Sequence, residues 1–295
     1  MNTLLNALTR LENEGAAFGH FNVADLVLLK AVLAAARENG VPVLIGASEG
    51  ERAFIGTREL AVLVKNLRDE SDLPVFLNAD HTHSLAKAKE AANAGFDLVG
   101  IDYSALPFEQ NVARTKEAVE ALKTINPAVI VEGEIGDIGT GSEIHEMAQN
   151  KARNLTTPEE AGQFVRATAV DILAPAVGNM HGMLTSMLLG KTKKRLDIGR
   201  IAQIKKAAGV FLTLHGGSGT NDEDFLNAIT AGINIIHINT ELRVAWRQSL
   251  TASLGENSNE VVPYKILAPV VDSVKQVVSS RLKLFQPRRK NEEAA

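Results

Sequence analysis

The chain has 295 residues, no cysteine, 45% hydrophobic and 22% charged residues, and a formal net charge of −4. Without thiols there is no disulfide framework, iron–sulfur cluster or thiolate zinc site, so any bound metal must be held by imidazole and carboxylate. The slight acid excess offers no basic surplus to nucleic acid or anionic lipid. No apolar run reaches membrane-spanning length, and Arg10, Glu12 and Glu14 interrupt the first fifteen residues, so the expected location is the cytoplasm.

In chain order, short β-branched runs alternate with longer amphipathic stretches. The predicted strands cover 18–23, 41–47, 75–78, 98–102, 129–134, 172–177, 211–214 and 235–239. Helical patterns fall at 25–39, 58–68, 85–94, 109–124, 158–168, 197–207 and 222–231. Thr157, Pro158 and Glu160 read as a cap, a first-turn proline and a capping-box carboxylate, and Asn221 precedes three acids suited to a helix N-terminus. Near-continuous apolar strands alternating with helices indicate a parallel sheet covered on both faces. Eight such units predict an α/β fold, a single (β/α)8 TIM barrel, which commonly takes about 250 residues. An open doubly wound sheet is the alternative, but no Gly-x-Gly-x-x-Gly follows the first strand. The barrel is expected to fill 1–285 as one domain. It carries long loops at 136–157 after strand five and 178–196 after strand six, a C-terminal helical extension, and a charged, flexible tail at 286–295.

The active site of such a barrel lies at the C-terminal ends of its strands. Polar residues gather there: Asn22, Ser48, Asp80, His81, Asp102, Ser104, Glu132, Glu134, His181, His215, His237, Asn239 and Thr240. A lone histidine is more often a hydrogen-bonded core residue than a ligand. Three converging from different strands, His81, His181 and His215, supply the imidazoles of a catalytic zinc site with an open position. His83 lies on the same side as His81 and reads as a second ligand of a pair, a support or a substrate contact. Asp80 is the natural acid/base. Glu134 faces the same mouth and could alternatively support a ligand histidine. Asp102 reads as a turn cap. The run His215-Gly216-Gly217-Ser218-Gly219, with Asn239 and Thr240, suits a phosphate cradle at a helix N-terminus, although a bare Gly-Gly-Ser-Gly is often only a turn.

Several longer stretches share one source: Phe21-Asn22-Val23, Ala79-Asp80-His81, 104–112 (SALPFEQNV), Glu132-Gly133-Glu134-Ile135-Gly136, Val177-Gly178-Asn179-Met180-His181-Gly182, Leu214 to Gly219, and Asn239-Thr240-Glu241-Leu242. Together, over nearly the whole chain, they resemble the class II, metal-dependent fructose-bisphosphate aldolases, a family that includes tagatose-bisphosphate aldolases. The resemblance implies reversible aldol cleavage of a ketose bisphosphate, with Zn2+ on His81, His181 and His215 and Asp80 as proton donor and acceptor. It implies that Glu134 lies near the metal and that Gly182, Gly216, Gly217, Ser218, Asn239 and Thr240 surround the dihydroxyacetone phosphate moiety. A monovalent cation such as Na+ or K+ would lie near that phosphate. Asn22 and Ser48 would touch substrate, and the protein would form a homodimer or homotetramer.

Some positions depart from that pattern. His237 stands where many members have an asparagine on dihydroxyacetone phosphate, Thr82 and His83 replace a Gly and a small residue, and Asp137 stands where an arginine is common. Glu143 in the loop after strand five would assist proton transfer. Arg281 could reach a distal phosphate, perhaps across a subunit interface, or be an ordinary surface arginine. The competing readings are tagatose 1,6-bisphosphate or another ketose phosphate as substrate, a metal-dependent hydrolase of amidohydrolase type, and a non-catalytic homologue.

Overall fold

Where the apolar runs were expected to extend, eight strands form: β1 (Phe18–Asn22), β2 (Val43–Ala47), β3 (Val75–Thr82), β4 (Leu98–Ile101), β5 (Ile130–Ile135), β6 (Ile172–Pro175), β7 (Phe211–Leu214) and β8 (Ile233–Ile238). The computed structural model describes residues 3–70, 73–139, 141, 143–146, 154–256 and 258–286. The strands close into a barrel in the order β1-β8-β7-β6-β5-β4-β3-β2, with every pairing parallel. Helices connect them, as the alternating pattern requires.

Side chains alternate between barrel interior and outer face, so residues two apart share a side. At the N-terminal end the inward layer is apolar. Phe18, Leu44, Phe76, Leu98, Ile130, Ile172 and Ile235 form one buried cluster with Leu4, Ala7, Leu8 and Leu11 of helix Leu4–Asn13. Those four helix positions, spaced i, i+3, i+4 and i+7, make one apolar stripe that stoppers the barrel from below. Two residues further along the strands the layer turns polar: His20, Asn78, Glu132, Thr213 and His237 are all buried. The outward faces pack against the surrounding helices in the main core.

The expected caps form. Thr157 and Glu160 make a full capping box with Pro158 in the first turn, and the Asn221 side chain accepts from Glu223 N. The sequence pattern misses helices Leu4–Asn13, Glu49–Ile55, Thr185–Leu188 and Thr240–Glu256. It also stops β3 at residue 78, whereas pairing continues to Thr82. The C-terminal extension is helix Pro263–Phe285, and Ala17 N donates to Phe285 O at 2.9 Å. Of the expected tail, only Gln286 is among the described residues.

The two long loops are joined. Ile144–His145 and Met183–Leu184 pair as a small parallel sheet, Met183 N donates to Glu143 O at 3.0 Å, and His181 N donates to Ile138 O at 2.9 Å. Each loop therefore braces the other over the barrel mouth. Among the described residues no helix is long and apolar enough to cross a membrane.

Candidate active site

In a regular strand Asp80 and His81 would point to opposite faces. Instead the β3–β4 register shifts between Ala79 and Thr82, and His81 has φ 41, one of two non-glycine residues in the left-handed region among the described residues. That irregularity turns both side chains toward the C-terminal mouth. They line a cavity of about 290 Å3 together with His181, His215, His237 and Glu143.

His81, His181 and His215 each offer a ring nitrogen within 4.8 Å of the others. Carboxylates fix two of the rings from behind. His81 Nδ1 lies 2.9 Å from Asp102 Oδ2 and 3.2 Å from Glu134 Oε2, and His215 Nε2 lies 2.7 Å from Glu132 Oε1. Thr213 Oγ1 in turn donates to Glu132 Oε2. With those nitrogens donating to carboxylates, His81 Nε2 and His215 Nδ1 face each other at 2.9 Å. Two imidazole lone pairs at that distance repel unless a proton or a metal ion lies between them, and three converging imidazoles are a donor set that suits a divalent metal.

The three imidazoles differ in proton affinity. Burial alone would lower the His81 imidazole, but Asp80 and Glu134, with the bond to Asp102, raise it well above the usual histidine value. At Asp80 burial works upward and is outweighed by His81 and His237, which hold the carboxyl well below its usual value. Burial, reinforced by His81 and His215, keeps His181 well below its ordinary value, the neutral form a ligand requires. Asp80 Oδ2 accepts from Asn22 Nδ2 at 2.8 Å, Oδ1 faces His237 Nδ1 at 3.3 Å, and Arg52 Nη1 donates to Asp80 O at 3.2 Å.

Beside this cluster lies the glycine-rich turn after β7. Gly216 takes φ +60, and a Cβ there would lie 2.3 Å from Met180 O. Ser218 Oγ accepts from Asn239 N at 3.2 Å and Glu241 N at 3.3 Å, at the start of helix Thr240–Glu256. This helix N-terminus at the mouth suits an anion.

The sequence profile of the family described as "Fructose-bisphosphate aldolase class-II" matches residues 2–290. The chain belongs to the class-II fructose-bisphosphate aldolase family. It is 36% identical over 304 residues to the fructose-bisphosphate aldolase of Thermus caldophilus, covering 96% of this chain and 97% of that one. Identity to the Geobacillus stearothermophilus fructose-bisphosphate aldolase is 35% over 272 residues, or 91% of each. The crystal structure of the YdjI aldolase from Escherichia coli K12 superposes with a TM-score of 0.79 at 29% identity, over 96% of both chains. This class-II aldolase is thus a carbon–carbon lyase of a divalent-metal-dependent family that acts on phosphorylated sugars, and neither the amidohydrolase nor the non-catalytic reading is favoured.

Asn22, Ser48, Gly182, Gly216, Ser218, Asn239 and Thr240 line the cavity, and His83 stands at its rim. The ligand-pair reading of His83 fails. Its side chain is 58% exposed, its Nδ1 lies 3.1 Å from Asp102 O, and no close group of possible ligands among the described residues includes it. Gly217 packs against β8, its N donating to His237 O at 3.0 Å, and Glu134 sits behind His81; neither lines the cavity. Arg281 also stays away. Its guanidinium is engaged by Glu241 at 2.8 Å and Asp222 at 2.7 Å, so it braces the helix carrying Thr240 and leaves no fork for a phosphate in this chain.

The sequence reading placed Glu132 and Asp102 at strand ends, the latter as a turn cap, without their part behind the histidines, and it did not single out Glu51 or Arg243. Glu132 backs His215, and Asp102 backs His81 while also capping Ser104 N and Oγ. Glu51 accepts from Asn22 Nδ2 at 2.9 Å. Arg243 lines the cavity and donates to Glu51 Oε1 at 2.7 Å. Counting by twos along β5 from Glu134 puts Glu132 on the same inward side, the one signal that could have found it.

Proposed function

We propose that this protein catalyses reversible cleavage of fructose 1,6-bisphosphate to dihydroxyacetone phosphate and glyceraldehyde 3-phosphate, with zinc on His81, His181 and His215. The convergence of those three imidazoles beside an ionised Asp80 carries the reading. Bound zinc supplies a Lewis acid for the ketose carbonyl and for the negative charge left on the triose phosphate fragment.

The protein's own groups do the rest. Gly182, Gly216 and Ser218, with Asn239 and Thr240, bind one phosphate and fix the reacting carbons, so that remote binding energy orients the bond to be broken. Asp80 accepts the proton of the hydroxyl on the carbon that becomes the aldehyde, and that oxygen forms its carbonyl as the carbon–carbon bond breaks. In condensation Asp80 returns the proton. Its low proton affinity keeps it an acceptor, while Asn22 and His237 hold its two oxygens. His237 lines the cavity and is read as a substrate contact, while its Nε2 is buried with no hydrogen-bond partner among the described residues. Glu143 delivers the second proton, to the carbon that keeps the electron pair.

A coupled assay of triose phosphate release, with metal-loaded and chelated protein, tests this. Fructose 1,6-bisphosphate should be turned over only with metal present, and faster than tagatose 1,6-bisphosphate. No metal-dependent release from either sugar would remove the proposal. A cytoplasmic homodimer or homotetramer is inferred alongside it, and light scattering reads the assembly directly.

A further inference from the structure

The segment after the short helix Thr185–Leu188 carries four basic residues, Lys191, Lys193, Lys194 and Arg195. Three are exposed, as a basic run usually is. Lys194 is 4% exposed. Its backbone is pinned beside the phosphate cradle: Lys194 N donates to Gly219 O at 2.9 Å, Lys194 O accepts from Asn221 N at 3.3 Å, and the residue forms a parallel bridge with Thr220. From that anchor the side chain turns inward. Nζ donates to Met180 O at 2.7 Å, Gly182 O at 2.7 Å and Gly216 O at 2.8 Å.

Met180 and Gly182 flank His181, and Gly216 follows His215. The three carbonyls aim their negative ends at one point, an arrangement that repels itself unless a cation sits there, and rings of backbone carbonyls are a standard way to hold K+. An ammonium has three N–H donors and no acceptor, so it satisfies three carbonyls fully. The close approach is built into the backbone. A Cβ on Gly216 would meet Met180 O at 2.3 Å, and one on Gly182 would meet Glu143 O at 2.4 Å. Burying an ammonium is costly unless it is fully bonded, and this one is.

We infer that Lys194 is a tethered monovalent cation: its ammonium takes the role expected of a free Na+ or K+ beside the substrate phosphate, so that turnover needs no free monovalent ion. The inference rests on the reading of Gly182, Gly216 and Ser218 as the phosphate cradle. A separate cation does not fit this three-carbonyl point, because Nζ holds it. The ammonium ties the loop after β6 to Gly216 after β7 and leaves a permanent positive charge at the cradle. In the condensation direction the same charge greets incoming dihydroxyacetone phosphate.

The test compares wild type and Lys194→Ala in KCl, NH4Cl and tetramethylammonium chloride at constant ionic strength, by aldol cleavage and by thermal denaturation. Wild-type kcat/KM should stay within about twofold across the three salts, since screening is held constant. The variant should lose about tenfold or more in tetramethylammonium, the scale of removing hydrogen bonds to a charged group, and recover in K+ or NH4+. Its denaturation midpoint should rise with K+ while that of wild type does not. Wild-type activity or midpoint responding to K+ as the variant's is expected to would overturn the inference, as would a variant indifferent to the salt. If Lys194→Ala does not fold, the wild-type comparison still decides. If no ketose bisphosphate is cleaved by wild type, the functional proposal falls, while the denaturation series still judges Lys194.

Discussion

The imidazoles of His20 and His237 stack face to face in the middle of the barrel, with centroids 3.4 Å apart and planes 9° from parallel. His215 lies over the other face of His237 at 4.1 Å, so a core histidine, a substrate-facing histidine and a candidate metal ligand form one column. The column fixes the height of His237, and with it the contact to Asp80. Its foot is held by Asn78 Nδ2, 3.0 Å from His20 Nε2.

Gly46 makes room for the column. A Cβ at this position would lie 2.1 Å from His20 Cε1, and the ring has His237 and Asn78 on its other sides. Gly46→Ala should therefore cost about 1–3 kcal/mol through overpacking. It should also lower kcat by disturbing His237. Adding His20→Ala should return part of the stability, because the two changes share one contact. Urea denaturation of the three variants reads this coupling, and strictly additive costs would contradict it.

Burial, chiefly, holds His20 down at about 4, against an ordinary value of 6.5. The unfolded chain thus takes up this proton as pH falls below 6.5, while the folded chain resists until about 4. Within that window the unfolded state binds more protons, so stability declines as pH drops. Between pH 7 and pH 5 wild type should lose about 2 kcal/mol more than His20→Asn, measured by urea denaturation at fixed metal concentration. Equal losses would mean that His20 is not buried in its neutral form.

Glu132→Gln removes the carboxylate behind His215 Nε2 while keeping the shape of the side chain. Metal affinity should fall by about 10–100-fold, the usual cost of losing such a partner. Competition with a chromophoric chelator measures it, and unchanged affinity would show that His215 needs no help from β5.

Asp80→Ala should lower kcat by about 10²–10⁴-fold, the range of a lost general acid–base group. Metal content, read by elemental analysis, should stay at the wild-type stoichiometry. Full turnover would remove the proton-transfer role of Asp80, and loss of metal would make it part of the metal site.

The barrel was legible because its signal is repeated: strand-like runs such as 211–214 and 172–177 recur between amphipathic helices, and each gives nearly the same answer. The histidine set was legible because His81, His181 and His215 follow or end such runs. What escaped depends on contacts that have no sequence period. Helix Leu4–Asn13 carries a plain amphipathic stripe, but its partners are strands spread along the whole chain. Glu132 reads as one more polar residue near a strand end until the alternation along β5 turns it inward toward His215. Lys194 lies in a run whose composition says solvent, and only the convergence of three carbonyls from two distant loops reveals otherwise. Arg281 misled in the opposite sense: an arginine suits a phosphate, but Glu241 and Asp222 were waiting for it.

The bond from Ala17 N to Phe285 O, next to the pairing of β1 with β8, ties the first strand to the last helix. During synthesis β1 emerges early and must wait, with one edge unpaired and its outer face uncovered, until β8 and then helix Pro263–Phe285 have been made. Contacts between residues so far apart in sequence form slowly. The helix that stoppers the barrel is made before any strand of the ring it closes, so its apolar stripe lacks its full set of partners until β8 has been made. Such exposed surface is where chaperones and aggregation compete for an unfinished chain. Ring closure follows the making of β8, and a chain cut short within helix Pro263–Phe285 should be found in the insoluble fraction before it is found inactive.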